Sequence, residues 1–281
     1  MAITGSGISA QDPYMVHTYD ELVSAASESG KFIKLANDIN ITDEYPDGDM
    51  PTLEIDSSYI DGDGKTISNW YKKTSGYCIN WTNSSDDDSI IKNTVFGNIY
   101  ISASCNGFYK ANTHTVPHFE NCGFYGILYN YFKDGEKSEL KDCTMYLNLR
   151  KTVSQGDSAI ADFNGIFFNN CYLEAKDTAT NTQRCFFPNF NYSPFAKDSY
   201  FVIETTATSV TQYKDGKGAE NSVFDITTNM QWTWGNASGY SCSIFNVSSA
   251  PNITGSNNVI AVDSENWLNA EYLSSIGFNA G

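Results

Sequence analysis

One short phrase returns along the middle of the chain and limits what it can fold into: an amide or acid, a small residue, any residue, then a large apolar one. It reads Asn93-Thr94-Val95-Phe96, Asn121-Cys122-Gly123-Phe124, Asp142-Cys143-Thr144-Met145, Asn170-Cys171-Tyr172-Leu173 and Asp198-Ser199-Tyr200-Phe201. Asn221-Ser222-Val223-Phe224 and Asn257-Asn258-Val259-Ile260 continue it. From one small residue to the next the steps are 28, 21, 28, 28, 23 and 36 residues. Units of about 20 to 30 residues are stacked supersecondary elements that cannot bury an apolar face alone.

Each unit carries short alternating runs such as Asn98-Ile99-Tyr100-Ile101-Ser102 and Thr144-Met145-Tyr146-Leu147-Asn148-Leu149, so the solenoid is expected to be an all-β parallel β-helix. Its coils would lie about 4.8 Å apart. Asn or Asp before the marker suits a tight corner, because these side chains tolerate the left-handed backbone region and bond their own backbone. The marker is small, as an inward side chain beside a corner must be. Cys122, Cys143 and Cys171 are expected to form an internal ladder.

At 281 residues one β domain suffices, and with 41% hydrophobic residues it can bury a core. Only 18% of residues are charged, and the net charge is −16. That balance argues against nucleic acid, which requires Lys and Arg to displace counterions, and against anionic lipid. The opening residues lack a basic stretch followed by an apolar one, and no run is long enough to span a membrane. Synthesis in a cytoplasm is therefore expected. Seven cysteines without a CxxC pair or a Cys/His cluster point to free buried thiols.

Taken in order, residues 1–16 are small and polar and are expected to be an extended arm. Thr18 and Glu21 form a capping-box signature for a short helix that ends near Gly30 and caps the first coil. The expected division is 1–31 arm and capping helix, 32–263 β-helix, and 264–281 a C-terminal helix begun by Ser264. Four stretches, Cys105–Pro117, Asn130–Lys137, Arg150–Phe163 and Lys176–Pro194, are expected to leave the solenoid as insertions on one flank.

Within that frame Gly5 to Gly7, Asp12 to Leu22, Asn37 to Ile39 and Ile60 to Asn69 resemble right-handed parallel β-helix proteins of bacteriophage particles. The resemblance covers the first quarter by motif and the rest by repeat character. It implies a virion setting: head fibres, capsid decorations, tail appendages and tailspikes, some of which cleave host polysaccharide. The reading is a non-enzymatic structural virion protein, a homotrimer in contact with other virion proteins, whose polar N-terminal segment attaches it to the particle. The alternative is a tailspike-like polysaccharide depolymerase or a receptor-binding tail appendage.

The candidate chemistry is sparse. Polysaccharide cleavage needs two carboxylates about 5 to 10 Å apart. Asp142, Glu120 and Glu139 lie near coil strands, but Asp142 occupies a corner position. Asp61-Gly62-Asp63-Gly64 lacks the later ligands of a calcium loop and reads as a turn. Asp86-Asp87-Asp88 reads as a solvated run. His17, His114 and His118 stand in no zinc pattern. No catalytic residue, metal or cofactor is expected. Trp70, Trp81, Trp232 and Trp234 could stack on host-surface carbohydrate if they point outward, and the alternation of Trp232 and Trp234 places both on one side of a strand. The competing reading packs them against a cap or a neighbouring subunit.

Overall fold

The computed structural model describes residues 3–82, 89–112, 117–136, 138–150, 160, 165–178, 183–184, 196–205, 209–212, 219–227, 231–234, 241–246, 257–262 and 271; for 183–184, 209–212, 226–227, 231–234, 241–246 and 257–262 it describes the backbone alone. Among the described residues, every pairing between named strands is parallel, and the strands form sheets of twenty, four and three. The chain is a β-solenoid. One coil runs through Tyr77–Trp81, Ile90–Lys92 and Val95–Ile101, and the next through Gly107–Ala111, Phe119–Glu120 and Gly123–Leu128. A third follows through Tyr131–Gly135, Ser138–Lys141 and Thr144–Leu149.

The recurring phrase is the corner between the second and third strands of a coil. Asn93, Asn121, Asp142, Asn170, Asp198 and Asn221 all lie in the left-handed region, with φ between 45° and 54°, where Asn and Asp are least disfavoured among residues with a Cβ. Beyond each of these corners the apolar side chain turns inward in register: Phe96, Phe124, Met145, Leu173, Phe201 and Phe224 follow one another coil by coil. All six are 0% exposed. The rings of Phe96 and Phe124 stack at 5.0 Å, and those of Phe201 and Phe224 at 4.9 Å.

The marker between them has a second requirement besides small size. Thr94 Oγ1 donates to Lys92 O (2.9 Å), Ser199 Oγ to Lys197 O (2.7 Å) and Ser222 Oγ to Glu220 O (2.8 Å). Cys143 Sγ reaches Lys141 O at 3.2 Å, and Cys171 Sγ reaches Asn169 O at 3.4 Å. Each of these side chains is a donor to the carbonyl two residues back, a group that is costly to bury unpaired. Cys122, Cys143 and Cys171 sit on successive coils: Thr144 N–H donates to Cys122 O and Tyr172 N–H to Cys143 O, both at 2.9 Å. All three are buried free thiols, and burial pushes Cys143 and Cys171 well above the usual thiol range.

The four-stranded sheet corrects the reading of two insertions. Gly107–Ala111 and Tyr131–Gly135, expected in loops, are strands that pair in parallel with each other, and Gly107–Ala111 also pairs with Tyr77–Trp81. They bury Phe108, Tyr109 and Phe132 completely. Most of Arg150–Phe163 and of Lys176–Pro194 lies outside the described residues, as do Asp86 to Asp88, His114 and, apart from Glu271, the 264–281 segment.

The solenoid also begins before residue 32. Tyr14–Val16 pairs in parallel with Phe32–Leu35, Met15 N–H donates to Thr4 O at 2.8 Å, and Phe32 N–H donates to Gly7 O at 3.0 Å. The expected extended arm is thus folded back onto the first coil. Helix α1, Tyr19–Ala26, is capped by Thr18 Oγ1, which accepts from Glu21 N–H at 3.2 Å. It buries Tyr19, Leu22, Ala25 and Ala26 and packs against Leu53–Ile55, the edge strand of the four-stranded sheet. There it covers an edge that would otherwise present unpaired backbone groups to water.

The corner side chains form a column with one polarity. Asn93 Nδ2 donates to Asp61 Oδ1 (2.9 Å), Asn121 to Asn93 (2.8 Å), Asn170 to Asp142 (2.6 Å) and Asn221 to Asp198 (2.7 Å). An ionised carboxylate has no N–H to donate, so the column is interrupted where Asp142 follows Asn121 and where Asp198 follows Asn170. Asp142→Asn and Asp198→Asn are expected to complete it and to raise stability by about 1 kcal/mol each, read as a higher denaturation midpoint at an unchanged m-value. Asn121→Ala, which loses both the column bond and a residue suited to φ 52°, is expected to lower it by about 1 to 2 kcal/mol.

Candidate functional site

On the outer face, parallel register turns repeated residues into columns. Just before the corner the column alternates in charge: Lys34, Asp61, Lys92, Glu120 and Lys141 lie opposite one another in sequence. Lys92 pairs with Asp61 at 3.4 Å and Lys141 with Glu120 at 2.5 Å. These ion pairs are partly exposed and individually weak, but they keep like charges from meeting across strands. Burial opposes ionisation of Asp61. The Asn93 amide, the Asp63 N–H and Lys92 outweigh it and hold the carboxyl below its usual range.

Beyond the corner the face carries columns of tyrosine. Tyr125 and Tyr146, each 40% exposed, stack on one another at 5.2 Å with planes 14° apart, and Tyr172 follows at 5.7 Å from Tyr146. Tyr125 and Tyr146 turn their faces to each other, whereas Tyr172 is tilted by 52° from Tyr146. A second tyrosine column is different, because a loop rises beside it. Tyr71 and Tyr100 stack at 4.6 Å, and Tyr129 continues at 5.5 Å from Tyr100. Cations close the two ends: Lys73 Nζ lies 5.1 Å from the Tyr71 ring, and Arg150, 5.7 Å from the Tyr129 ring, donates to its hydroxyl at 3.0 Å.

The wall is the segment from Thr42 to Met50. Its base is fixed by Glu44, whose carboxylate accepts the N–H groups of Tyr19 and Asp20, both at 2.8 Å, at the N-terminus of helix α1. The Tyr45 hydroxyl donates to Asp20 Oδ1. Further along, Lys73 Nζ donates to Asp47 O (2.5 Å), Thr74 Oγ1 to Asp49 Oδ1 (2.7 Å) and Lys72 Nζ to Met50 O (2.8 Å). Gly48, at φ +74°, lies against the Tyr71 ring, and a Cβ there would fall 2.1 Å from Tyr71 Cδ1.

The floor between wall and rings is a second amide column. Asn69 Nδ2 donates to Asn40 Oδ1 at 2.6 Å, and Asn98 Nδ2 donates to Asn69 Oδ1. Asn69 and Asn98 have φ of 63° and 52°. Each adds a residue to its coil, leaving two positions instead of one between the inward side chains of Ile67 and Trp70, and of Phe96 and Ile99. The next coil lacks the extra residue. Phe96 faces Phe124 but Ile99 faces Gly126, so Gly97 and Asn98 together stand opposite the single residue Tyr125. Gly126 is required there, because a Cβ on it would lie 2.3 Å from Ile99 O. The amide column therefore stops at Asn98, which uses one N–H on Asn69 and has no other partner among the described residues.

Together these groups enclose an open cleft of about 420 Å³ lined by Thr42, Pro46, Asp47, Gly48, Asn69, Tyr71, Lys73, Asn98 and Tyr100. Its chemistry is that of amides, hydroxyls and ring edges, with one ammonium and one carboxylate residue in the lining. Burial, and after it the neighbouring Tyr129 and Tyr71, pushes the Tyr100 phenol up, so it remains a neutral donor near neutral pH.

The residues singled out in the sequence lie elsewhere. Trp70 and Trp81, candidates for surface aromatics, are core residues at 0% and 2% exposure; Trp70 Nε1 donates to Ile67 O at 2.8 Å. Trp232 and Trp234 lie on strand Gln231–Trp234, opposite Val210 and Gln212, and their side chains lie outside the described residues. Glu120 is tied to Lys141, Glu139 accepts from Asn169 Nδ2 at 3.1 Å, and Asp142 is a corner. Asp61 to Gly64 is a turn in which Asp63 N–H donates to Asp61 Oδ1 at 2.9 Å. His17 lies beside Glu21, and His118 is buried with Nε2 3.1 Å from Asn112 O. No group of three potential metal ligands occurs among the described residues. The cleft itself had a signal in the sequence: Asn69-Trp70-Tyr71 and Asn98-Ile99-Tyr100 repeat the same Asn-x-Tyr triplet.

No protein-family model matches the chain. Over 120 residues, 40% of this chain, it is 29% identical to an alpha-L-fucosidase of Dictyostelium discoideum, and it spans 26% of that protein's length. Among solved structures, a Bacteroides ovatus protein assigned as an immunoglobulin A1 protease superposes with a TM-score of 0.45 at 15% identity, over 96% of this chain and 89% of that one. A superposition that loose carries no argument about activity.

Two outcomes are expected here. Gly48→Ala should push the wall off Tyr71 and change the near-ultraviolet circular dichroism while the far-ultraviolet spectrum holds. The Tyr45 phenol is raised to about 12, first by its hydrogen bond to Asp20 and then by burial. A folded-state value above the ordinary one of about 10 means that this contribution is complete below about pH 10 and is lost as pH rises through about 12. The stability advantage over Tyr45→Phe should therefore disappear across that window in denaturation measured at each pH.

Proposed function

We propose that the chain is a non-enzymatic structural protein of a bacteriophage particle: a β-solenoid displayed as a capsid decoration or head fibre, as a homotrimer, with its outer face toward the host surface. The observation that carries this reading is the use made of the acids. Asp61 and Glu120 are bound to Lys92 and Lys141 in an alternating column, and Asp142, Asp198 and Asp61 serve the corners. Carboxylates committed in this way hold a rod together and are poorly placed to exchange protons with a substrate. The N-terminal motif that resembles phage β-helix proteins supports the virion setting, and its residues build the first coil and its helical cover.

A second reading is a carbohydrate-cleaving enzyme, favoured by the match to an alpha-L-fucosidase over 120 residues. It requires an acid pair free to act across a groove. One experiment separates the two. Particles purified on a density gradient are probed for the chain, and the purified chain is incubated with an aryl α-L-fucoside and with host surface polysaccharide. The display reading expects the chain to band with capsids and to leave both substrates intact. Release of fucose or of oligosaccharide would overturn it in favour of the enzyme, and absence from the particle would remove the virion assignment.

A further inference from the structure

We infer that the cleft between the Thr42–Met50 wall and the Tyr71/Tyr100 column is a binding site for a neutral saccharide. This deepens the display reading by naming what the displayed face holds, and it rests on that reading only for its biological setting.

The argument begins with the kind of groups present. A carboxamide and a phenol each offer both a donor and an acceptor, which is the pattern of a sugar hydroxyl. Asn98 marks the end of its amide column: one N–H goes to Asn69 Oδ1, while Oδ1 and the second N–H are uncommitted among the described residues. Tyr71 and Tyr100 use their faces on each other and both line the cleft, and the Tyr100 hydroxyl is hydrogen-bonded to Tyr129. Pro46, on the opposite wall, adds the apolar surface that a sugar's C–H groups require. At about 420 Å³ the cleft falls within the range of small-molecule sites.

Charge then selects among small polar ligands. The Lys73 ammonium already donates to Asp47 O at 2.5 Å and lies over the Tyr71 ring. With a net charge of −16 on the chain, an acidic sugar or phosphate gains little from that one cation and is repelled at longer range. A metal ion finds a single carboxylate, Asp47, in the lining. The site is also preformed. Glu44, Thr74 and Lys72 hold the wall, and the two tyrosines are fixed by parallel register, so binding has little ordering cost.

The test uses the purified full chain. Galactose, glucose, N-acetylglucosamine and L-fucose are titrated against it by ligand-observed and amide-detected NMR, alongside sialic and glucuronic acids. At least one neutral sugar is expected to bind, with shifts at Lys73, Asn98 and Tyr100, and no acidic sugar is expected to bind more tightly. Asn98→Gly suits φ 52° without strain and removes the amide, and Tyr100→Phe keeps the ring stack and removes the hydroxyl. Each should weaken binding about five- to tenfold with an unchanged circular dichroism spectrum. Unaltered affinity in both variants, tighter binding of an acidic sugar than of every neutral one, or no binding of any of the panel by the folded chain would overturn the inference. Sugar binding by a chain that does not band with particles would support the cleft while removing the display reading.

Discussion

The corner is the interaction on which the solenoid depends. A residue with a Cβ held near φ 50° is disfavoured in isolation, and six such corners stack among the described residues. They persist because each does several things in the space of two residues. Asn or Asp tolerates the left-handed turn, its side chain ties to a neighbouring coil, and the following Thr, Cys or Ser donates back to the carbonyl two residues before it. Once the corner is placed, the next apolar side chain can only point inward, and the register of the whole strand follows.

Fixed register carries over to the outside. Because the described coils turn at the same corner, outward residues line up whether or not they touch the core. The alternating Lys and acid column, the Tyr125/Tyr146 stack and the Tyr71/Tyr100 stack are consequences of one periodicity. The cleft arises where that periodicity is disturbed. Asn69 and Asn98 each insert a residue, and the wall leaves the solenoid just beside them.

How much of this is legible in the sequence follows from the same physics. The corner phrase can be read because its four positions are chemically constrained together. The four-stranded sheet cannot, since Gly107–Ala111 and Tyr131–Gly135 carry no corner phrase and are preceded by Asn106 and Asn130, which look like loop residues. Simple alternation from Ile67 puts Trp70 on the outer face; the extra position at Asn69 reverses that and sends the indole into the core. Of the cleft, the Asn-x-Tyr triplets are visible, but the wall that makes them concave depends on Glu44 reaching the start of helix α1, a contact across 25 positions that no local pattern encodes.

The amide column also has a direction. In each pair described, the later coil gives the hydrogen and the earlier coil supplies the oxygen. A half-built rod therefore ends in waiting acceptors, and the donor that fills them belongs to the stretch of polypeptide that leaves the ribosome next. Assembly that proceeds with translation meets each template already in place, whereas a rod started from its far end would have to hold its donors idle until the oxygens arrived.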